Sequence, residues 1–318
     1  MSSQTGVLLI NLGSTAAPTR SAVRHYLAEF LSDRRVVELP AWLWQPLLKC
    51  VILPLRARRT ATLYQSIWMD EGSPLAVYTQ RLADKLQINL GEECKVVLGM
   101  RYGQPSIEAG VNALLAAGIT SITILPLYPQ YSAATTASCF DKISELFQQS
   151  RVIPNIRFIA SYFDHPLYIA ALVNKIKEHQ TKHPNSYLLF SFHGLPQRCV
   201  ELGDPYQEQC VTTVRLITQR LQLASDAYQT VFQSRFGAAK WLQPYCDEVL
   251  QQLPARGIKA VTIICPGFAV DCLETLEEIS KRYRVLFLKA GGEHFNYIPA
   301  LNDSKKQILL LSSCLKLS

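Results

Sequence analysis

The chain has 318 residues, of which 48% are hydrophobic and 18% charged, and its formal net charge is +7. This composition excludes an intrinsically disordered chain, and the length suits two domains or one large α/β unit. The positive charge could attract nucleic acid, anionic lipid or a small acidic ligand. No long Lys/Arg tail, zinc-finger spacing or RNP-like aromatic motif accompanies it, so we expect no nucleic-acid partner.

The N-terminal residues contain only a short apolar run and no basic leader, so they are not typical of a signal peptide. The most apolar window, residues 42–55, is interrupted by prolines, Gln45 and Lys49 and is too short to span a bilayer. We therefore expect a cytoplasmic monomer that contacts the inner face of the membrane peripherally through residues 40–60. The nine cysteines include no CxxC pair, which favours reduced and mostly buried thiols.

Short apolar runs alternate with longer amphipathic stretches along the whole chain. Continuous apolar runs separated by helical patterns are typical of parallel strands that helices cover on both faces. The sequence therefore predicts a doubly wound α/β architecture. The predicted strands are residues 7–12, 96–100, 122–127, 157–160, 187–192, 230–233, 261–265 and 285–288.

Two segments of the chain resemble each other. Arg101-Tyr102-Gly103 matches Arg235-Phe236-Gly237, and the strands that follow these motifs, at residues 121–124 and 260–263, are offset by nearly the same interval. A weaker match aligns residues 9–13 with residues 190–194. We interpret these matches as an internal duplication, with chance similarity between two βαβ units as the alternative. We expect an N-terminal domain over residues 1–150 and a C-terminal domain, ending in a helix, over residues 151–318.

The first half is longer than the second, and the excess lies around residues 35–80. An apolar insertion flanked by basic residues, at the carboxyl ends of parallel strands, is typical of a lip over a ligand crevice. We expect the lip to be built on Trp42, Leu43, Leu47 and Leu48. A longer connection that packs on the core is the alternative.

Four segments reach the expected crevice, and two of them carry candidate catalytic groups. His193 directly follows an apolar strand, and its imidazole can accept a proton or bind a divalent metal near neutral pH. Glu274 is its candidate partner. Asp271, Glu274 and Glu278 would lie on one face of a helix, where they could pass a metal ion inward or take protons outward. The alternative is that these acids only favour the start of a helix.

Several motifs accompany this pair in both halves of the chain. They are Asn11-Leu12-Gly13, Phe30-Leu31-Ser32-Asp33, Glu71-Gly72-Ser73-Pro74-Leu75, Tyr128-Pro129-Gln130-Tyr131-Ser132, Ser191-Phe192-His193-Gly194-Leu195-Pro196, Gly203-Asp204-Pro205-Tyr206, Gln233-Ser234-Arg235-Phe236-Gly237, Trp241-Leu242-Gln243-Pro244 and Asp271-Cys272-Leu273-Glu274-Thr275-Leu276. In this order, over about residues 6–301, they resemble the signature of the ferrochelatase family, enzymes that insert ferrous iron into a porphyrin to make haem.

The resemblance implies a fold of two similar Rossmann-like lobes, each a parallel sheet flanked by helices, with a porphyrin cleft between them. It places the family's catalytic histidine at His193 and its glutamate at Glu274, with Fe²⁺ as a substrate that both could ligate. The acidic helix face falls on Asp271 and Glu278. Residues near the macrocycle are expected to be Arg101, Tyr102, Tyr128 and Ser132.

Two departures from the family pattern limit what the resemblance implies. Some members hold a [2Fe–2S] cluster, but Ala133 stands at the position of its first cysteine and the C-terminal tail offers only Cys314, so we expect no cluster and no permanently bound cofactor. Cys272 stands where some relatives have histidine. We expect protoporphyrin IX as the substrate, with coproporphyrin, another tetrapyrrole chelatase activity or a non-catalytic tetrapyrrole-binding role as alternatives.

Overall fold

The computed structural model describes residues 5–237 and 239–316, and these divide into two compact units. The first unit holds the residues up to Tyr128, then residues 132–161 and the residues from Leu311 onward. The second holds residues 129–131 and 162–310. The boundary predicted at residue 150 is therefore moved beyond Ser161, because the fourth strand pairs with the first sheet.

The first unit contains a parallel sheet of four strands in the order β2-β1-β3-β4. The strands are β1 (Thr5–Gly13), β2 (Cys94–Tyr102), β3 (Ser121–Pro126) and β4 (Asn155–Phe158). The central strand β1 is almost wholly buried, as expected of a strand that is covered on both faces. The helices are α1 (Arg20–Ser32), α2 (Ala41–Leu47), α3 (Leu53–Gln65), α4 (Pro74–Leu90), α5 (Ile107–Ala116) and α6 (Ser138–Gln148).

The second unit repeats this architecture in its own parallel sheet, with the order β6-β5-β7-β8. The strands are β5 (Tyr187–His193), β6 (Tyr228–Gln233), β7 (Ala260–Ile264) and β8 (His294–Ile298). The helices are α7 (Pro166–Gln180), α8 (Gln197–Glu201), α9 (Tyr206–Leu221), α10 (Cys246–Gln252), α11 (Arg284–Lys289) and α12 (Lys305–Lys316), the last of which runs into the first unit. Two parallel sheets flanked by helices confirm the predicted fold class.

Short π-helical segments supplement these helices in both units. Leu48–Ile52 joins α2 to α3, and Ala133–Ala137 precedes α6. A longer π-helix, Glu274–Tyr283, leads into α11. A 3₁₀ turn, Leu253–Arg256, follows α10. π-Helices are rare and concentrate at functional sites. One π-helix follows the third strand in each unit, which makes these two segments candidates for a functional site.

The eighth predicted strand, residues 285–288, is wrong. These residues form most of α11, and the buried residues Ile279, Tyr283 and Phe287 recur every four positions, which is a helical spacing. The true fourth strand of the second sheet is β8, an edge strand that pairs with β7. Its mixture of polar and apolar residues gives a weaker signal than the continuous apolar runs of the central strands.

The duplication is visible in the identical order of the two sheets, but the register of one matched motif changes. Met100 donates its N–H to Pro105 O at 2.6 Å, and Phe232 donates its N–H to Pro244 O at 2.9 Å. Met100 in the first unit therefore corresponds to Phe232 in the second, which makes Arg101 equivalent to Gln233. The motif match, which aligned Arg101 with Arg235, is out of register with the strands.

The apolar insertion forms α2, the π-helical turn and α3. Its exposed side chains include Trp42, of which 79% is accessible, together with Leu43 and Leu47. Leu48 is fully buried, so its assignment to an exposed lip is wrong. Trp44 fixes α2 by donating its Nε1–H to Leu31 O at 2.6 Å. Within the part of the chain that the structure describes, no helix is long and apolar enough to cross a membrane.

Candidate active site

His193 is the last residue of β5, and the backbone around it is tightly constrained. Its half-buried imidazole contacts Gly194 O through Nδ1 at 2.7 Å. A Cβ atom at Gly194 would lie 2.7 Å from Gln233 O, so the close approach of the two strands requires glycine there. Because a carbonyl oxygen only accepts, Nδ1 carries the proton, and in the neutral ring Nε2 keeps its lone pair. The local structure thus presents Nε2 as a base or metal ligand.

Glu274 is the first residue of the π-helix, in the segment that follows β7. Leu273 is the N-cap of that helix, and the side chain of Glu274 is only partly buried. Burial, and then the neighbouring Glu274 carboxylate, raise the pKa of the Cys272 thiol well above its usual value. The thiol therefore stays protonated beside Glu274 and donates to the carboxylate rather than competing as a thiolate metal ligand.

Glu278 lies one turn farther along the π-helix and is almost fully buried. Its carboxylate accepts hydrogen bonds from the hydroxyls of Ser234 and Tyr283, the latter at 3.0 Å, and pairs with Arg282 at 2.8 Å. Neither Ser234 nor Tyr283 was singled out from the sequence, although Ser234 belongs to one of the family motifs. These partners restrict the movement of the Glu278 side chain.

Asp271 lies before the helix, so the predicted row of three carboxylates on one helix face is wrong. Its buried carboxylate accepts hydrogen bonds from Tyr297 at 2.6 Å, Asn302 at 2.7 Å and Thr275 at 3.0 Å. The Asn302 side chain in turn accepts the Asp271 N–H at 2.7 Å. With its oxygens occupied in this way, Asp271 fixes the loop that leads into the π-helix. Its assignment to a proton or metal relay stays a prediction.

In the first unit, two of the predicted site residues share a partly buried ionic group. Arg101 contacts the carboxylate of Asp33 at 2.5 Å and donates from Nε to the hydroxyl of Ser138 at 2.7 Å. The hydroxyl of Tyr102 donates to the same carboxylate at 2.7 Å. Only 1% of Tyr102 is exposed, so its side chain supports this group from within the unit, and a contact of Tyr102 or Arg101 with porphyrin stays a prediction.

Tyr128 and Ser132, the other predicted site residues, follow β3 in the chain. Burial, and then the Cys139 thiol, raise the pKa of Tyr128 well above its usual value, so the hydroxyl remains protonated. Ser132 is buried and caps the π-helical turn by accepting the Ala134 N–H at 3.3 Å. Ser132 thus has a structural role that the motif alone did not indicate, and a contact of either residue with porphyrin stays a prediction.

Sequence reasoning missed Asp33 as the centre of this group. It lies in the matched Phe30–Asp33 motif but is far from Arg101 along the chain, so only the fold brings the two together. Among residues 5–237 and 239–316, no group of three or more His, Cys, Asp or Glu side chains is arranged to hold a metal ion. In the second unit, His193 and Glu274 are the predicted pair for transient iron ligation.

The similarity to known proteins extends over nearly the whole chain. A family model described as Ferrochelatase matches residues 4–317. The chain belongs to the ferrochelatase family. A ferrochelatase of Edwardsiella ictaluri is 53% identical over 312 residues, covering 98% of this chain and 97% of the relative. A ferrochelatase of Vibrio cholerae is 49% identical over 312 residues, with coverage of 98% and 97%. As a member of this family the protein is a ferrochelatase-type enzyme, which inserts metal into a porphyrin.

Solved structures show the same fold at low sequence identity. SirB from Bacillus subtilis with Fe³⁺ has a TM-score of 0.56 and 12% identity to this ferrochelatase-family chain, and the match covers 98% of this chain and 94% of that one. CbiX, described as the terminal enzyme for biosynthesis of sirohaem in denitrifying bacteria, has a TM-score of 0.52 and 13% identity, covering 98% and 100%. At these identities the likeness establishes the chelatase fold alone.

Proposed function

We propose that the protein inserts Fe²⁺ into protoporphyrin IX, forming protohaem and releasing two protons. The observation that carries this proposal is the 2.7 Å contact of His193 Nδ1 with Gly194 O, from which we infer that Nδ1 carries the proton. Because the ring is held in one orientation, the lone pair of Nε2 also has a fixed orientation, and this nitrogen can act as a general base. Ferrous iron and imidazole are compatible partners, so the same atom could contact the metal before the porphyrin does.

Metal insertion requires two changes in the porphyrin. Its nitrogen lone pairs must tilt out of the macrocycle plane so that iron can reach them, and its two N–H protons must leave. Binding energy from the apolar faces and propionates of the macrocycle can offset the cost of distortion. We assign proton removal to Nε2 of His193, since a positioned imidazole nitrogen with a free lone pair can act as a general base.

We assign Glu274 the second role, that of receiving charge from the imidazole and ligating Fe²⁺ transiently. Its partly exposed carboxylate at the start of the π-helix supports this role, since it stands outside the ion pair that holds Glu278. The protonated Cys272 thiol supports it further by orienting the carboxylate without adding a charge. Product protons would then leave through a carboxylate that can exchange with solvent.

We also propose that the exposed apolar side chains of residues 40–60 contact either the porphyrin or a peripheral membrane surface. Trp42 and Leu55 are 79% and 71% exposed, which is unusual for large apolar side chains so close together in sequence. Arg58 and Arg59 follow in α3 and are exposed. Basic residues beside an apolar surface suit anionic carboxylates or anionic lipid.

Anaerobic incubation of the purified protein with Fe²⁺ and protoporphyrin IX tests the proposal. We expect the four-band spectrum of the free-base porphyrin to be replaced by the spectrum of a metalloporphyrin, with turnover that is catalytic in protein. A spectral shift that is stoichiometric with protein, without turnover, would indicate a tetrapyrrole-binding protein. If the protein turns over coproporphyrin faster than protoporphyrin IX in parallel reactions, coproporphyrin is the substrate and the assignment of protoporphyrin IX is wrong.

A further inference from the structure

Gln233, the last residue of β6, is placed against both proposed catalytic segments of the second unit. It is paired in register with His193 across the β5–β6 ladder, and its carbonyl accepts the Gly194 N–H at 2.7 Å. The same glycine supplies the carbonyl that holds His193 Nδ1. The backbone of Gln233 thereby fixes the residue that orients the imidazole.

The side chain of Gln233 reaches the π-helix. Its Nε2 donates to Glu274 O at 3.2 Å and lies 3.5 Å from the Glu278 carboxylate. Its Oε1 accepts from the Ser191 hydroxyl at 2.8 Å. Only 2% of Gln233 is exposed, so this amide has no water to exchange with and its orientation is determined by these partners.

The first unit has a corresponding side-chain interaction at the equivalent strand position. Arg101 occupies the position of Gln233, as the bonds of the neighbouring strand residues to Pro105 and Pro244 establish. Its guanidinium Nε donates to the Ser138 hydroxyl and carbonyl, directly after the π-helical turn Ala133–Ala137. In both units, therefore, the end of the second strand binds the helical region that follows the third strand, at Glu274 in the π-helix of the second unit and at Ser138, the first residue of α6, in the first. In the unit that contains His193 and Glu274, the side chain of Gln233 makes this interaction.

We propose that Gln233 is a positioning residue that fixes the separation and orientation of His193 and Glu274. This inference rests on the proposed function, because it assumes that these two residues perform the chemistry. Gln233 itself is too buried to touch a substrate, and its polar atoms are occupied by the backbone and side chains around it. Its effect is exerted through the backbone of Glu274 and that of Gly194.

The test compares two variants of Gln233 with controls in the full chain. Gln233→Met keeps the length and removes the amide, and Gln233→Asn keeps the amide but withdraws it from Glu274 O. Loss of such supporting hydrogen bonds commonly reduces activity about 10–100-fold. We expect kcat for Fe²⁺ insertion to fall by that factor in both variants, while the Kd of protoporphyrin IX, measured by fluorescence quenching, stays at the wild-type value.

Two controls separate positioning from a general loss of stability. Val231→Ala shortens a fully buried side chain in the same strand, and should lower the melting temperature while leaving kcat unchanged. Gln251→Met removes an exposed amide that also donates to a helical backbone carbonyl, at 3.3 Å, and should change neither quantity. A fall in kcat for Val231→Ala equal to that of the Gln233 variants would overturn the inference, because instability alone would then explain the loss.

A double variant tests whether Gln233 acts through Glu274. Adding Gln233→Met to Glu274→Gln should cost less than the product of the two separate losses, because residues that act as a unit are not additive. Multiplicative losses would contradict the inference. If neither Gln233 variant folds, Ser191→Ala is the deciding variant. It removes the 2.8 Å hydrogen bond from the Ser191 hydroxyl to Gln233 Oε1 and leaves the longer contact of that oxygen with Cys265 Sγ, at 3.7 Å, in place. A lower kcat at an unchanged melting temperature supports positioning, and a wild-type kcat refutes it.

Measuring His193→Ala and Glu274→Gln in the same assay separates the positioning role of Gln233 from the catalytic roles proposed for His193 and Glu274. If these variants lose activity while the Gln233 and Ser191 variants keep the wild-type kcat, the positioning role is wrong and the proposed function stands. If His193→Ala and Glu274→Gln retain wild-type turnover, the catalytic roles proposed for these two residues are wrong, and the positioning role is refuted with them.

Discussion

The hydroxyl of Tyr102 donates a 2.7 Å hydrogen bond to the carboxylate of Asp33, which also pairs with Arg101 at 2.5 Å. Burial alone would raise the pKa of Asp33, but hydrogen bonds from Ser138, the Arg35 backbone and Tyr102, together with the Arg101 charge, outweigh it and lower the pKa below its usual value. The ionised carboxylate is thus part of the folded state of the first unit, and its loss has consequences that depend on pH.

We predict that Asp33→Asn destabilises the protein by about 3–5 kcal/mol at neutral pH, since it leaves the Arg101 charge buried without its partner. A carboxyl whose pKa is lower in the folded state contributes stability above its unfolded pKa, and this contribution is lost as pH falls through the folded value. The gap between the variant and wild type should therefore narrow below about pH 4. Urea unfolding at pH 7 and pH 3 measures the difference in free energy of unfolding between the variant and wild type. Asp141→Asn, at an exposed pair with Arg35, is the control and should cost less than about 1 kcal/mol. A gap that is constant with pH would contradict the assignment.

Replacing His193 by alanine should abolish metal insertion while the fold and porphyrin binding persist. Removal of a general base commonly costs about 10²–10⁴-fold in rate, and the ring bonds to the carbonyl of its own neighbour in sequence, so other parts of the fold do not depend on it. The measurements are anaerobic turnover with Fe²⁺, porphyrin Kd and the melting temperature. His294→Ala, an exposed histidine at the start of β8, is the matched control. Turnover above a few per cent of wild type would remove His193 from its role.

Glu274→Gln should reduce kcat far more than Glu277→Gln. The first substitution removes a charge at the residue that Cys272 and Gln233 position. The second removes a charge in the same π-helix, from a side chain that lies 3.9 Å from Arg282. For Glu278→Gln we expect mainly a lower melting temperature, because its partners Ser234, Tyr283 and Arg282 lose a charged acceptor. Equal losses of kcat at positions 274 and 277 would show that the helix has been assigned the wrong active face.

Substitutions in the apolar insertion should separate exposed residues that bind porphyrin or membrane from buried residues that stabilise the fold. The double substitution of Trp42 and Leu43 by serine should raise the porphyrin KM and weaken binding to anionic liposomes with little change in melting temperature, because both side chains are exposed. Leu48→Ala should instead cost about 2–5 kcal/mol, since Leu48 is fully buried. A large fall in melting temperature for the double variant would assign Trp42 and Leu43 to the core.

The purified protein should contain no iron–sulfur cluster. Such clusters need thiolate ligands, and most of the cysteines are buried. Burial raises the pKa of Cys139 to about 12 and that of Cys314 to about 11, so these groups persist as thiols. Anaerobic purification followed by assays for iron and acid-labile sulfide checks this. Labile sulfide near two per chain would refute the prediction, and Cys199, Cys210, Cys265 and Cys272 would be the first ligands to replace.

The parts of the fold that the sequence predicts well are those with continuous apolar runs. The central strands β1 and β5 are examples, and the position of His193 followed from the end of β5. The π-helix at Glu274 was not predictable, because the sequence pattern does not distinguish its i→i+5 hydrogen bonds from those of an α-helix. Asp271 was placed on that helix because its spacing from Glu274 and Glu278 fits one helix face, but the helix begins only at Glu274. Pairs such as Asp33 and Arg101 depend on strand order, which no local pattern contains.

The assignment of the last residues of α12 to the first unit affects how the protein can be divided. The polypeptide passes from one unit to the other after Tyr128, Tyr131, Ser161 and Leu310. Arg157, in β4, donates hydrogen bonds to Leu315 O at 2.9 Å and Cys314 O at 3.0 Å. No single cleavage of the backbone can therefore release either half intact, and removing the last turns of α12 would take a segment away from the half that contains β1.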